Sequence, residues 1–186
     1  MSIEEVINEV VDAINRLRGE VEGLYVTACL LDRSTALGFI RRIDEVQLGR
    51  ECITQVLPGN VIISAKQLKL AAYLAFKAFE ERRNVSRKVY IEFLLYYFGT
   101  RQIGKVLNLL NSITTDEYLL VTVCRTNIGD VVRWYSAHCE CLVTDLKVVK
   151  PDLELLRRLY GVPSSVSNND IEKYVLMRIA SLVLSI

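Results

Sequence analysis

From Ser64 to Glu81 the chain reads SAKQLKLAAYLAFKAFEE, an unbroken amphipathic pattern with Ser64 in the place of an N-cap. Leu68, Ala72, Ala75, Phe76 and Phe79 recur at three- and four-residue spacings and form one apolar stripe. A helix of this kind buries a single side, so the rest of the chain must supply a layer for it to lie on. The neighbouring segments have a different character. LYVTACLL (24–31), ECITQVL (51–57), YLLVTVC (118–124) and CLVTDLKVV (141–149) are short, β-branched or aromatic, and read as strands. EFLLYYFG (92–99) is continuously apolar after its first residue and is bounded by Gly99, which reads as a central strand covered on both faces.

Other helices are expected around these strands. Ser2 and Glu5 have capping-box spacing ahead of Ile3, Val6, Ile7, Val10, Ile14 and Leu17, and Gly19 closes that pattern. Ser34–Val46 reads as a helix with Leu37, Ile40 and Ile43 inward, and Val85–Val89 as a short helix after a break near Asn84. A further helix starts after Thr100 as N-cap, another covers Asn127–Ala137, and Pro151 at the first helical position opens one that ends at Gly161. Asp170–Ile186 forms the last. Strands and helices alternate irregularly, with no internal repeat and no linker long enough to divide the chain. The expectation is one α+β domain over residues 1–186, with a mixed or antiparallel sheet of about four to five strands packed with several helices.

At 186 residues and 51% hydrophobic content the chain can bury a sizeable core. Lys and Arg total 23 against 22 Asp and Glu, so no overall basic field is present and any nucleic-acid site must be a local patch. The opening residues lack a basic segment followed by an apolar one, and Tyr174–Ile186 is short and interrupted by Arg178. A cytoplasmic protein without membrane contact is expected. The five cysteines, at 29, 52, 124, 139 and 141, are an odd number in apolar surroundings, and are expected as reduced, buried side chains.

No phosphate-binding loop, dinucleotide fingerprint, nucleophile elbow or paired-histidine zinc motif occurs, and there is one histidine. The cluster His138, Cys139, Glu140 and Cys141 contains zinc-ligand types, but neighbours in an extended segment face opposite ways and no second ligand pair stands elsewhere. No catalytic residue, metal or cofactor is therefore expected. Charge is more informative. Lys66, Lys69, Lys77, Arg82, Arg83, Arg87 and Lys88 face only Glu80 and Glu81 in the same stretch, a local excess able to neutralise a few phosphates. Tyr73 or Tyr90 could stack a splayed base. In the last helix Ile171, Val175, Ile179, Leu182 and Ile186 make one apolar face, while Leu176, Ala180, Val183 and Leu184 cover much of the rest. That second face is expected to meet a partner.

The stretch AKQLKLAAYLAFKAFEERRNVSRKVYIEFLLYYFGTRQIGKVL resembles the PRPK-binding protein (TPRKB) family, the small kinase-binding subunit of the KEOPS (EKC) complex, especially its archaeal members. The resemblance rests on Arg82–Arg87, Glu92–Tyr96 and Gly99–Ile103, and on the tail LRRLYGV followed by IEKYVLMRIASLVL. It spans Val21 to the C-terminus, by order of elements alone from Ile113 to Lys150. It implies a non-catalytic subunit of the machinery that makes threonylcarbamoyladenosine in tRNA. The kinase-like ATPase subunit would be the direct partner, other KEOPS subunits indirect ones, and the 3′ CCA end of tRNA a further ligand. Carried over to this chain, Lys69, Arg83 and Arg87 are tRNA candidates, beside Lys66, Tyr73, Lys77 and Arg82 of the same stretch. Leu176, Ile179, Ala180 and Leu182 are kinase-facing candidates, flanked by Tyr174 and Val183. The family's tail often has carboxylates near the positions of Met177 and Val183, and their absence implies a drier contact. A kinase-binding regulator that never touches RNA, and a small enzyme or metal protein centred on His138, Cys139 and Cys141, are the alternatives. Arg101 is expected to pair with a protein carboxylate such as Glu92, or else with an RNA phosphate.

Overall fold

A strand pair aligned residue for residue forms the centre of the molecule. The computed structural model describes residues 12, 15–126, 129–138, 142–143, 146 and 149–185. Strands β1 (Tyr25–Asp32) and β2 (Cys52–Pro58) flank β3 (Glu117–Cys124), both antiparallel to it, and β4 (Leu142–Val143) adds a two-residue ladder beyond β1. The order is β2-β3-β1-β4. The sheet is thus antiparallel throughout, with three full strands and one minimal one, at the lower end of the expected count.

Alternation along the strands splits the core in two. Ala28, Ile53, Leu57, Leu119, Val121 and Val123 face one layer of helices. Cys29, Leu31, Cys52, Val56, Leu120 and Cys124 face the other. Because both faces are covered, β2 and β3 are buried along almost their full length, which explains their unbroken apolar runs. The free edge of β2 is closed by side chains. Gln47 exchanges hydrogen bonds with the backbone of Thr54 at 2.9 and 3.1 Å, and Val56 N–H donates to Gln55 Oε1 at 2.9 Å. Glutamine amides here take the place of a further strand.

On one face lie α3 (Ala65–Glu80), α4 (Val89–Tyr97), α5 (Ile103–Ser112), α7 (Leu153–Tyr160) and α8 (Ile171–Ser181). On the other lie α2 (Arg33–Arg41) and α6 (Gly129–His138). Helix α1 closes over residues 15–22; most of the expected pattern before Leu17 falls outside the described residues. Capping follows the sequence closely: Asp32, Ser64 and Asp152 accept from Thr35, Gln67 and Leu155 N–H. Pro151 therefore precedes the cap of α7 instead of opening the helix.

The segment EFLLYYFG is helical, which corrects the strand expected there. Tyr90 and Glu92 to Tyr97 are all buried because α4 is enclosed by α3, β2, α5 and α8. Continuous apolarity signals burial on every side, and a helix inside a helical layer meets that condition as well as a central strand does. Gly99 is the C′ residue of α4 at φ 61°, and Thr100 N–H reaches Leu95 O while Gly99 N–H reaches Tyr96 O, both at 3.0 Å. This is a Schellman stop, which requires the left-handed conformation glycine adopts readily. Residues 85–88 bend and form no separate helix; Glu92 holds them by accepting from Val85 and Ser86 N–H at 2.9 and 2.8 Å. The N-cap of α5 is Gln102, whose own N–H is bonded by Thr100 Oγ1 at 3.3 Å. In α2 the inward residues are Ala36 and Phe39, whereas Leu37 and Ile40 stay more than 40% exposed, at 45% and 43%. They rim an apolar groove of about 350 Å³ toward Leu107 and Leu110 of α5.

The cysteines also differ from expectation. Cys52 and Cys124 stand directly opposite across β2 and β3, with Cα atoms 4.1 Å apart, and form a disulfide. Their 72-residue separation conceals a contact that strand register creates. Cys29 is buried, and Cys139 and Cys141 lie outside the described residues.

Candidate functional site

The basic stretch is divided by its own helix. With 16 residues, α3 is about 24 Å long, and it separates Lys66 and Lys69 from Arg82, Arg83 and Arg87. Between them the charges are largely satisfied within the chain. Tyr73 donates its hydroxyl to Glu20 at 2.5 Å, and burial followed by that acceptor pushes its pKa up. Lys77 pairs with Glu80 at 3.3 Å and lies over the Tyr73 ring. Glu80 also bonds Arg125, which holds its carboxyl below the usual range and sits 4.1 Å above the Phe76 ring. Lys88 and Tyr90 share Asp44, at 2.5 and 2.6 Å, and the Lys88 hydrogen bond is the main cause of that carboxyl's lowered pKa. Tyr73, half-buried, and Tyr90, buried, are therefore anchored rings that are already hydrogen-bonded.

At the N-terminal end of α3, Lys66 and Lys69 line a cleft of about 650 Å³ with Lys150 and Glu172 on its rim and Val26, Ala28, Ile62, Leu146 and Val149 among its apolar walls. Lys69 donates to Glu22 O at 2.9 Å, whereas Lys66 makes no ion pair among the described residues. At the other end Arg83 is held by Glu81, and Arg82 and Arg87 are exposed with no ion pair among the described residues. Arg82 has φ 55°, with its own N–H on Phe79 O and Arg83 N–H on Ala78 O at 3.3 and 2.8 Å. It is a C′ residue in the left-handed region, where glycine would be about 1 kcal/mol easier. Lys150 is brought in by the α7 approach, and no local pattern marks it.

Helix α8 buries Ile171, Val175 and Ile179 at 0% exposure, and Leu182, the residue that caps its end, is buried at 8%. Of the residues expected at a partner surface, Ile179 and Leu182 thus belong to the core. Leu176 and Val183 are half-buried, Tyr174 likewise, and Ala180 is exposed. Met177 joins them at 59% exposure; the sequence reading named it only as the place of a missing family carboxylate and not as a partner-facing side chain. Its position two residues past Val175, on the side opposite the buried stripe, is the signal that would have marked it. Tyr174 and Met177 border a shallow pocket with Val166 and Lys173. Among the described residues no three metal-ligating side chains come together, and His138 bonds Trp134 O at 2.8 Å and stacks on the Trp134 ring. No helix among the described residues is long and apolar enough to cross a membrane.

The α+β core thus carries Tyr174, Leu176, Met177 and Ala180 on the outer side of α8 and two separated cationic groups at the ends of α3. The family described as kinase binding protein CGI-121 matches residues 41–182, well over half of the chain, and the protein belongs to that family. Membership implies a kinase as partner. No curated protein matches the chain.

Proposed function

We propose that the protein is the small, non-catalytic kinase-binding subunit of the KEOPS complex, acting in the cytoplasm. It docks the kinase-like ATPase subunit through the outer face of α8, reaches the other subunits through that kinase, and presents the 3′ CCA end of tRNA along the cationic ends of α3. The observation carrying the RNA half is Arg82. An exposed arginine with no ion pair among the described residues occupies a left-handed position at the end of α3 where glycine is the better residue for the fold. A cation at a strained position beside Arg83 and Arg87 fits a polyanion partner. A reading in which the kinase is bound and RNA is never touched has its own support, since Lys69, Lys77, Arg83 and Lys88 are engaged within the chain.

Met177→Lys and Ala180→Asp are expected to weaken kinase binding about tenfold or more, or ~1.4 kcal/mol each, because a charge must be desolvated where a partner packs on the helix. Melting temperatures should not move, as both residues are exposed. Titration calorimetry with the kinase checks this, and unchanged affinity in both variants would remove α8 as the docking face. For tRNA, three open cations (Lys66, Arg82 and Arg87) give a slope of log K against log salt near −2, from about −0.7 per single-strand phosphate. Arg82→Gly should shallow that slope by about 0.7 while raising stability by about 0.5–1 kcal/mol. Gel shifts with tRNA carrying or lacking its CCA end, repeated across salt concentrations, decide between the two readings.

A further inference from the structure

The groove between α2 and α5 shares no residue with the outer face of α8 or with the cationic ends of α3. It holds about 350 Å³, with buried Val56 and Leu94 among its lining and Leu37, Ile40, Leu107 and Leu110 contributed by the two helices. Leu37, Ile40 and Leu107 are exposed, and Ile103, also exposed, continues the α5 stripe by one turn. On α5 only Val106 is buried, so most of the apolar surface of that helix has no cover within the chain. Single apolar side chains on a surface are ordinary, whereas two stripes meeting across a cavity mark a place where something packs.

Charge narrows the occupant. Arg33 and Arg41 on α2 and Lys105 on α5 are exposed, none has an ion pair among the described residues, and neither helix contains an acidic residue. Arg33 lines the groove itself. The acids that flank α2 are committed, Asp32 to the Thr35 N–H and Asp44 to Lys88 and Tyr90. Backbone geometry narrows it further. The β2 edge offers no ladder to an incoming strand, because Gln47 occupies Thr54, Gln55 occupies the Val56 N–H, and Pro58 has none. A second copy of the chain would bring the same cationic rims against each other. We infer that the α2–α5 groove docks an amphipathic helix of a partner protein, with leucine-like anchors between the helices and acidic residues on its flanks. Apolar anchors at i, i+3, i+4 and i+7 fit a groove of this lining, and flanking carboxylates meet the open cations. This surface stands whether or not the tRNA and α8 assignments do.

Fluorescence anisotropy with the full chain tests it, using two labelled peptides of about 18 residues, long enough to become helical. Both carry leucines at the anchor spacing; one has glutamates on its flanks and the other lysines. The glutamate peptide should bind about tenfold more tightly at low salt, with the difference shrinking as salt rises. Leu37→Ser and Leu107→Ser should each weaken it at least about fivefold without lowering the melting temperature, since both side chains are exposed. Arg33→Glu/Lys105→Glu should reverse the preference in favour of the lysine peptide, and Met177→Lys should leave it unchanged. No binding of the glutamate peptide, equal binding of the two, or undiminished binding in both serine variants would overturn the site. So would displacement of the peptide by a short single-stranded RNA, which would make the groove a polyanion surface. Sedimentation showing a wild-type dimer that Leu107→Ser dissociates would overturn it in favour of a second copy.

Discussion

Reducing the Cys52–Cys124 disulfide is expected to remove about 4 kcal/mol of stability, the largest single effect predicted for this chain. The bond joins the start of β2 to the end of β3 across 72 residues of sequence. Opening it releases that loop in the unfolded chain, and the entropy regained scales with the logarithm of its length. The folded state changes little, because both thiols stay in place as small buried hydrophobes at 6% and 0% exposure. The loss therefore acts through the unfolded state, and corresponds to a fall of roughly 8–16 °C in melting temperature for a chain of this size. Denaturant titrations with and without reductant measure it, and Cys52→Ala/Cys124→Ala should be indifferent to the reductant. Equal midpoints for the oxidised and reduced wild type would show that the bond contributes nothing.

The second large effect lies in a buried polar network that ties three helices together. Gln67, at 0% exposure, donates to the Tyr160 hydroxyl at 2.8 Å and accepts from Ile63 N–H at 3.0 Å. Tyr160 in turn donates to Tyr97 O at 2.5 Å, and the Tyr97 hydroxyl donates to Val61 O at 3.0 Å. Gln67→Leu keeps the volume but strands the Ile63 donor and leaves the Tyr160 oxygen without its donor, at a cost of about 2–4 kcal/mol. Tyr160→Phe should cost about 1–3 kcal/mol. The network also makes stability depend on alkaline pH. Burial raises the pKa of both Tyr97 and Tyr160 above the ordinary value. In the unfolded chain these hydroxyls ionise near pH 10, roughly, while in the folded protein they remain protonated. Their contribution is complete below that pH and is lost progressively as pH rises beyond it. Melting curves above neutrality should show this decline, and Tyr97→Phe/Tyr160→Phe should shallow it; an identical alkaline profile in the double variant would refute the assignment.

These two features show where sequence reasoning reaches its limit. Ser64 and the Leu68–Ala72–Ala75 spacing announce α3 to within a residue, because capping and three-to-four periodicity are local properties. Gln67, in the middle of that helix, looks like an ordinary polar residue, and only the arrival of Tyr160 from 93 residues away makes it a structural centre. Cys52 and Cys124 likewise carry no mark of their pairing. Apolar content by itself proved ambiguous in EFLLYYFG, where it concealed a helix. In the final helix the spacing placed Ile179 and Leu182 on the stripe that is buried, while the residues carried over from the family resemblance set them outward.

The candidate surfaces were legible to a similar degree. The excess of lysine and arginine from Lys66 to Arg87 could be counted along the chain, whereas its use could not. Glu20 and Asp44 reach Tyr73 and Tyr90 from distant elements and take up much of what a linear count offers to RNA.

The sequence by itself determined the α+β class, the strands β1, β2 and β3, the N-cap of α3, and membership of a kinase-binding family through motifs in a set order. All of these depend on residues near one another in the chain. The tertiary structure alone decided the helical state of α4, the disulfide and the Gln67–Tyr160–Tyr97 network. Each of these depends on which distant groups come within reach of one another, and that is a property of packing and strand register, which no local pattern encodes.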